Sequence, residues 1–120
     1  MAKHRYKTAV EVSLQAFLAE YPDWQVVESE YSKADNGIKR ELYRVFKFRT
    51  YDQAFAFMTA VSEQVIVPLD HHPRWQNDYN RLEIWFTTFD FGYQISNVDL
   101  QAAGDIEQMW ANSGSSLRSG

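Results

Sequence analysis

The chain has 120 residues, which fits one domain and leaves little room for two. Hydrophobic residues make up 45% and charged residues 23%, the balance of a folded domain, and a formal net charge of −4 argues against a nucleic-acid-binding body. The lack of cysteine excludes disulfides and thiolate metal sites, no apolar run reaches the length of a membrane span, and no signal-peptide core opens the chain, so the expected compartment is the cytoplasm.

Residues 1–7 hold Lys3, Arg5 and Lys7 without an acid and read as a solvated basic arm. From Thr8 to Tyr21 the spacing of Val10, Leu14, Phe17 and Leu18 predicts a helix that Pro22 stops. Trp24–Tyr31 reads as a strand. Asp35-Asn36-Gly37 predicts a type I′ hairpin turn with Asn36 and Gly37 as its two loop residues. That register pairs Asp35 with Ile38, Tyr31 with Leu42 and Val27 with Phe46. It places Val27, Tyr31, Leu42, Phe46 and Phe48 on one face and Glu28, Glu30, Glu41 and Lys47 on the other. Arg44 falls on the apolar face against the pattern.

Thr50 and Gln53 form a capping-box pattern before a second helix, with Ala54, Phe55, Met58, Val61 and Val65 on its apolar face and Pro68 at its end. His71-His72-Pro73 falls in the following connection or a short strand. Tyr79–Thr88 alternates as one long strand, and Gly92 marks a turn. Ser96 and Asp99 form a second capping box, opening a helix to about Trp110 whose stripe is Leu100, Ala103, Ile106 and Met109 or Trp110. Residues 111–120 read as a flexible Ser/Gly-rich tail, which leaves 8–110 as a single α+β domain. Aromatics at 16% suit a small antiparallel sheet covered by helices on one face, with an edge strand open to a second subunit.

His71 and His72 are the residues best suited to chemistry. Neighbours in an extended segment point to opposite sides, so the pair is a poor cage for one metal ion. Imidazole titrates near pH ~6.5 and can give or take a proton at working pH. The same Asp70-His71-His72-Pro73 run could equally cap the preceding helix and make a polar turn. Asp99 as a capping acid would stabilise a helix N-terminus whatever the function.

The run Asp70-His71-His72-Pro73, Trp75, Asn77, Tyr79-Asn80, Ile84, Thr87-Thr88, Asp90, Gly92, Asp99 and Ala103, with Phe46-Lys47-Phe48, Ala54 and Phe57 upstream, resembles the pterin-4a-carbinolamine dehydratase family over about residues 8–110. The resemblance implies a four-stranded antiparallel sheet with three helices on one face, in the order α-β-β-α-β-β-α. It also implies a homodimer or homotetramer. The implied reaction dehydrates a 4a-hydroxytetrahydropterin to the quinonoid dihydropterin by acid/base catalysis, with neither metal nor cofactor. By motif, His71 and His72 match the family's histidine pair, and Asp70, Pro73, Trp75, Phe89, Asp90 and Asp99 are expected around the pterin. Trp75 and Tyr79 could wall the pocket or simply pack.

Three features depart from the family's usual pattern. Phe89 stands where a third histidine is usual, Val67 where a charge is usual, and Phe91–Ser96 is one residue longer. The aromatic replacement is similar to a carboxysome-associated branch of the family, which implies an alternative: a non-catalytic binding module that helps Rubisco assemble.

Overall fold

The structure, a computed structural model, describes residues 11–113. The basic arm, the first turn of the predicted N-terminal helix with Val10, and most of the Ser/Gly-rich tail lie outside the described residues. The first helix, α1, covers Glu11–Glu20. It buries Leu14 completely and packs Phe17 and Leu18 against the core. Trp24, which follows it, is buried with its ring 6.2 Å from Phe17.

Four strands, β1 (Gln25–Glu30), β2 (Ile38–Lys47), β3 (Arg74–Asp78) and β4 (Arg81–Phe86), form one antiparallel sheet in the order β1-β2-β4-β3. The hairpin between β1 and β2 exists, but its register differs from the two-residue turn. Glu30 pairs with Ile38, Val26 with Leu42 and Gln25 with Tyr43. A type I′ turn needs positive φ at both central residues. Gly37 has φ +78°, but Asn36 is not among the positive-φ residues. Instead Tyr31–Gly37 make two successive turns, with Ala34 N–H on the Tyr31 carbonyl at 3.0 Å and Gly37 N–H on the Ala34 carbonyl at 3.0 Å. Asn36 Oδ1 accepts from Ile38 N–H at 3.1 Å, a local bond that competes with the tight turn. The odd-numbered slip turns β1 over, so Val26 rather than Val27 joins Leu42 on the core face.

The strand expected over Tyr79–Thr88 is observed as β4, starting two residues later at Arg81 and ending at Phe86. Tyr79 takes φ +54° in the turn before it, and β3, a strand not expected from the sequence, precedes that turn and pairs with β4 along the sheet edge. As an edge strand with charged ends, β3 has little of the β-former signal that marks a buried one. The four-strand, three-helix architecture implied by the resemblance is the one observed.

The second helix, α2, covers Tyr51–Val61 and is capped by Thr50, whose hydroxyl accepts from Gln53 N–H at 3.2 Å. Pro68 does not end it. The helix widens into a π turn over Ser62–Ile66 and continues as a short α3 (Val67–Leu69), with Val67 N–H reaching back five residues to the Ser62 carbonyl. Proline has no N–H and crowds the carbonyl four residues before it, and the widened turn accommodates that. The run stops at Asp70, in the left-handed region at φ +51°. Its buried face carries Ala54, Phe57, Val61 and Val65, whereas Phe55, expected inside, is 54% exposed. The last helix, α4, covers Asn97–Asn112, opens on the Ser96/Asp99 capping box, and buries Ala103 and Ile106, with Leu100, Met109 and Trp110 partly buried.

The helices cover one sheet face. On it, Leu42, Arg44 and Phe46 stand opposite Phe86, Ile84 and Leu82. Phe46, Phe48 and Phe57 surround Trp110 with centroids 5.0–5.5 Å away. Each buried ring contributes roughly 1.5–3 kcal/mol by leaving water. Arg44 belongs on this face because its charge is met. Its Nε lies 2.6 Å from Glu107 Oε2, the guanidinium sits 4.0 Å over Phe46, and Trp24 Nε1 donates to the same carboxylate at 2.7 Å. The other sheet face carries Glu41, Tyr43, Glu83, Trp85 and Arg74, and among the described residues no α-helix packs over it.

Candidate active site

The left-handed turn at Asp70 ends the helical run and sends the two histidines to opposite sides. His71 points inward and is 7% exposed. Its ring stacks on Phe86 with centroids 5.8 Å apart, and its Nε2 lies 2.6 Å from Asp99 Oδ1. Asp99 is fully buried, and its other oxygen accepts from Thr88 Oγ1 at 2.7 Å and Ser96 N–H at 2.8 Å. An ionised carboxylate only accepts hydrogen bonds, so the imidazole offers Nε2–H to it. Asp99 therefore both caps α4 and holds the His71 ring.

His72 points outward, its side chain 69% exposed and 3.5 Å from the exposed carboxylate of Asp70. It lines a cavity of about 320 Å³ on the sheet face that the helices leave bare. Glu41, Trp85 and Thr87 supply the floor from β2 and the end of β4, and Pro73 and Arg74 continue the wall from His72. The far wall is Phe89 and Tyr93, from a short 3₁₀ turn over Phe89–Phe91 and the residues after it, with ring centroids 6.2 Å apart.

This wall depends on Gly92. The residue has φ +72°, and a Cβ there would lie 2.2 Å from Asp35 Oδ2 in the β1–β2 connection. Only glycine lets the two loops meet, with Asp35 N–H 3.3 Å from the Gly92 carbonyl. Thr88 N–H closes the loop base on the Gln94 carbonyl at 3.1 Å.

The cavity is charged and aromatic together. Glu41 is buried, with both carboxylate oxygens within reach of Arg74 Nη2, at 3.1 and 3.3 Å. The Arg74 guanidinium lies 4.0 Å over the Trp85 ring. Two phenols near the cavity hold their protons more tightly than usual. A hydrogen bond with Tyr31 raises Tyr93, helped by desolvation. Burial raises Tyr43, helped by its hydrogen bond to Glu83.

Of the residues expected around a ligand, His72, Pro73 and Phe89 line this cavity and Asp70 stands beside His72. His71 and Asp99 form a buried pair behind it. Asp90 is half-buried in the 3₁₀ turn and is not a lining residue. Trp75 faces the helices and lines a separate hollow of about 300 Å³ beside Phe55 and Met58. Tyr79 is 64% exposed at its turn. Lining residues that were not expected around a ligand from the sequence are Lys39, Glu41, Arg74, Trp85, Thr87 and Tyr93. Strand alternation puts Glu41, Trp85 and Thr87 on one side only once the β2–β4 pairing is known.

The family model described as pterin 4 alpha carbinolamine dehydratase matches residues 8–109. The chain belongs to that family. A relative from Solibacter usitatus is 37% identical over 101 residues, 84% of this chain and 93% of the relative. One from Synechococcus sp. (strain WH7803) is 36% identical over 88 residues, 73% of this chain and 81% of the relative. One from Rhodospirillum rubrum is 35% identical over 97 residues, 81% and 90% respectively. All three are provisionally named pterin-4-alpha-carbinolamine dehydratase. The dehydratase fold is seen in a Brucella melitensis crystal structure titled transcriptional coactivator/pterin dehydratase. It superposes with a TM-score of 0.66 and 24% identity, covering 86% of this chain and 98% of that one. Among the described residues, no helix of this family member is long and apolar enough to cross a membrane.

Proposed function

We propose that this protein dehydrates 4a-hydroxytetrahydropterins, with His72 as the proton-transferring group in the open-face cavity. The observation that carries the reading is the placement of one outward imidazole against aromatic walls, Trp85 and Phe89, that suit a flat bicyclic ring. In the reaction the C4a–O bond breaks and the hydroxyl leaves as water with a proton from the imidazolium. The N5 proton passes to the imidazole, and the C4a=N5 double bond of the quinonoid product forms. One imidazole thus gives a proton and regains it, so no metal or cofactor is consumed or required. His71, bonded to Asp99 and stacked on Phe86, is read as a positioning residue that fixes the backbone from which His72 projects. Phe89 transfers no proton. The loss of one general acid or base costs ~10²–10⁴-fold in rate, so turnover is slow beside a three-histidine enzyme.

The relatives' names favour the dehydratase over the Rubisco-assembly module. Residues 8–110 act as one catalytic domain, in the cytoplasm, as a homodimer or homotetramer. Exposed Tyr51, Phe55 and Val67 along the α2–α3 run supply apolar surface for self-association. The test is a dehydration assay on 4a-hydroxytetrahydropterin. Turnover falls ~10²–10⁴-fold in His72→Ala and rises in Phe89→His. Unchanged turnover in His72→Ala overturns the assignment.

A further inference from the structure

The cavity carries charge that dehydration does not need. The ring of a 4a-hydroxytetrahydropterin is neutral, yet two cations stand at this mouth. Arg74 Nη2 lies 3.1 Å from Glu41 Oε1, and Lys39 Nζ lies 3.9 Å from the same oxygen. Lys39 also sits 4.8 Å from the centroid of the Tyr31 ring. One carboxylate faces two cations, so the mouth is net positive on a chain whose net charge is −4. The carboxylate is the buried partner: the Glu41 side chain is 6% exposed and that of Arg74 is 56% exposed. Glu41 holds the guanidinium from below, stacked on Trp85, and leaves its outer edge to solvent. A guanidinium oriented in this way is pre-organised to take a planar or tetrahedral anion through paired N–H donors. Asp70 is turned to His72, and Glu41 is the one acid among the cavity's lining residues.

We propose that Arg74 and Lys39 are specificity residues that select pterins whose side chain ends in an anion, a phosphate or a carboxylate, over pterins with a neutral side chain. The ring lies against Trp85 and Phe89 beside His72, and the anionic tail runs to the Arg74–Lys39 edge. This inference rests on the cavity being the pterin site.

The test compares 7,8-dihydroneopterin with its monophosphate, and a neutral pterin with a folate-type carboxylate, by titration followed through tryptophan fluorescence. The anionic ligand of a pair should bind about tenfold tighter at low salt, equal to ~1.4 kcal/mol. That ratio should shrink as ionic strength rises. In Arg74→Gln/Lys39→Gln it should fall to near one, while Arg74→Lys retains part of it. A preference for the phosphate alone or the carboxylate alone also supports the assignment and names the tail. Equal affinities for charged and neutral members overturn the inference and leave the pterin site standing. A preference that survives in the double variant overturns it too. Failure of every pterin to bind removes the pterin reading itself, and the inference falls with it. Should the double variant not fold, the salt dependence of the wild-type ratio still decides: a ratio independent of salt overturns the proposal.

Discussion

Replacing Asp99 tests whether the buried histidine cluster holds the site together. The carboxylate is fully buried and receives three bonds: His71 Nε2 at 2.6 Å, Thr88 Oγ1 at 2.7 Å and Ser96 N–H at 2.8 Å. Hydrogen bonds to a charged group are worth ~1.5–3 kcal/mol net, against ~1 kcal/mol for neutral ones. In Asp99→Asn the amide oxygen can still accept from Thr88 and Ser96. Its NH₂ then faces His71, which must give up the Nε2 proton. Losing charge assistance in all three bonds costs about 2–4 kcal/mol. Asp99→Ala takes the acceptor from a ring nitrogen and from the Ser96 amide and leaves the Thr88 hydroxyl with Ser96 Oγ at 2.7 Å, for about 3–6 kcal/mol. Against a total of ~5–15 kcal/mol for a domain of this size, either variant is a large fraction of the stability. Urea unfolding followed by tryptophan fluorescence measures it. At a slope of ~1–3 kcal/mol/M, Asp99→Asn moves the midpoint down by roughly 1–2 M. The two variants should rank Ala below Asn, and Thr88→Val should lower stability by less than either. A cost under ~1 kcal/mol for Asp99→Ala would refute the reasoning, because three buried donors cannot lose their acceptor so cheaply.

Glu107→Ala strands the buried Arg44 guanidinium and the Trp24 indole N–H, so it should cost ~3–5 kcal/mol in chemical denaturation, while Arg44→Met/Glu107→Leu should recover most of that. Gly92→Ala combines a left-handed backbone with a Cβ 2.2 Å from Asp35 Oδ2. It should lower the melting temperature, and adding Asp35→Ala should restore only part of the loss, since Asp35 Cβ stays 2.9 Å from the added Cβ and the φ strain of ~1–3 kcal/mol stays. Tyr43, held above its usual value of 10.0 first by burial and then by Glu83, binds its proton more tightly folded than unfolded. Its contribution is complete below the unfolded value and is lost as pH rises through the folded one, so unfolding free energy should fall in alkaline solution and fall less in Tyr43→Phe.

Much of the fold is legible locally. Thr50 with Gln53 and Ser96 with Asp99 announce both helix starts, because capping satisfies backbone groups within one turn of chain. The run from Asp70 to Asp99 carries the resemblance to the family, since that resemblance is a linear pattern of residue types and spacing. The Asn36-Gly37 signal correctly marks a reversal but not its length. Burial of Ala34 and the meeting of Asp35 with Gly92 favour a longer connection, and both are long-range effects. Pro68 is a sound helix breaker locally, and the π turn before it answers that constraint without ending the helical run.

The sequence by itself determined the starts of α2 and α4, the alternation of β4, the pair of histidines and the family, because each rests on neighbours within a few residues or on a linear pattern of side chains. Tertiary structure alone decided that His71 turns inward to Asp99, that His72 opens onto the bare sheet face, and that Arg74, Glu41 and Trp85 come together there. Those residues lie far apart along the chain and meet only through strand pairing. The register of a sheet follows from which apolar faces can be buried together, a property of the whole packed layer and not of any one segment.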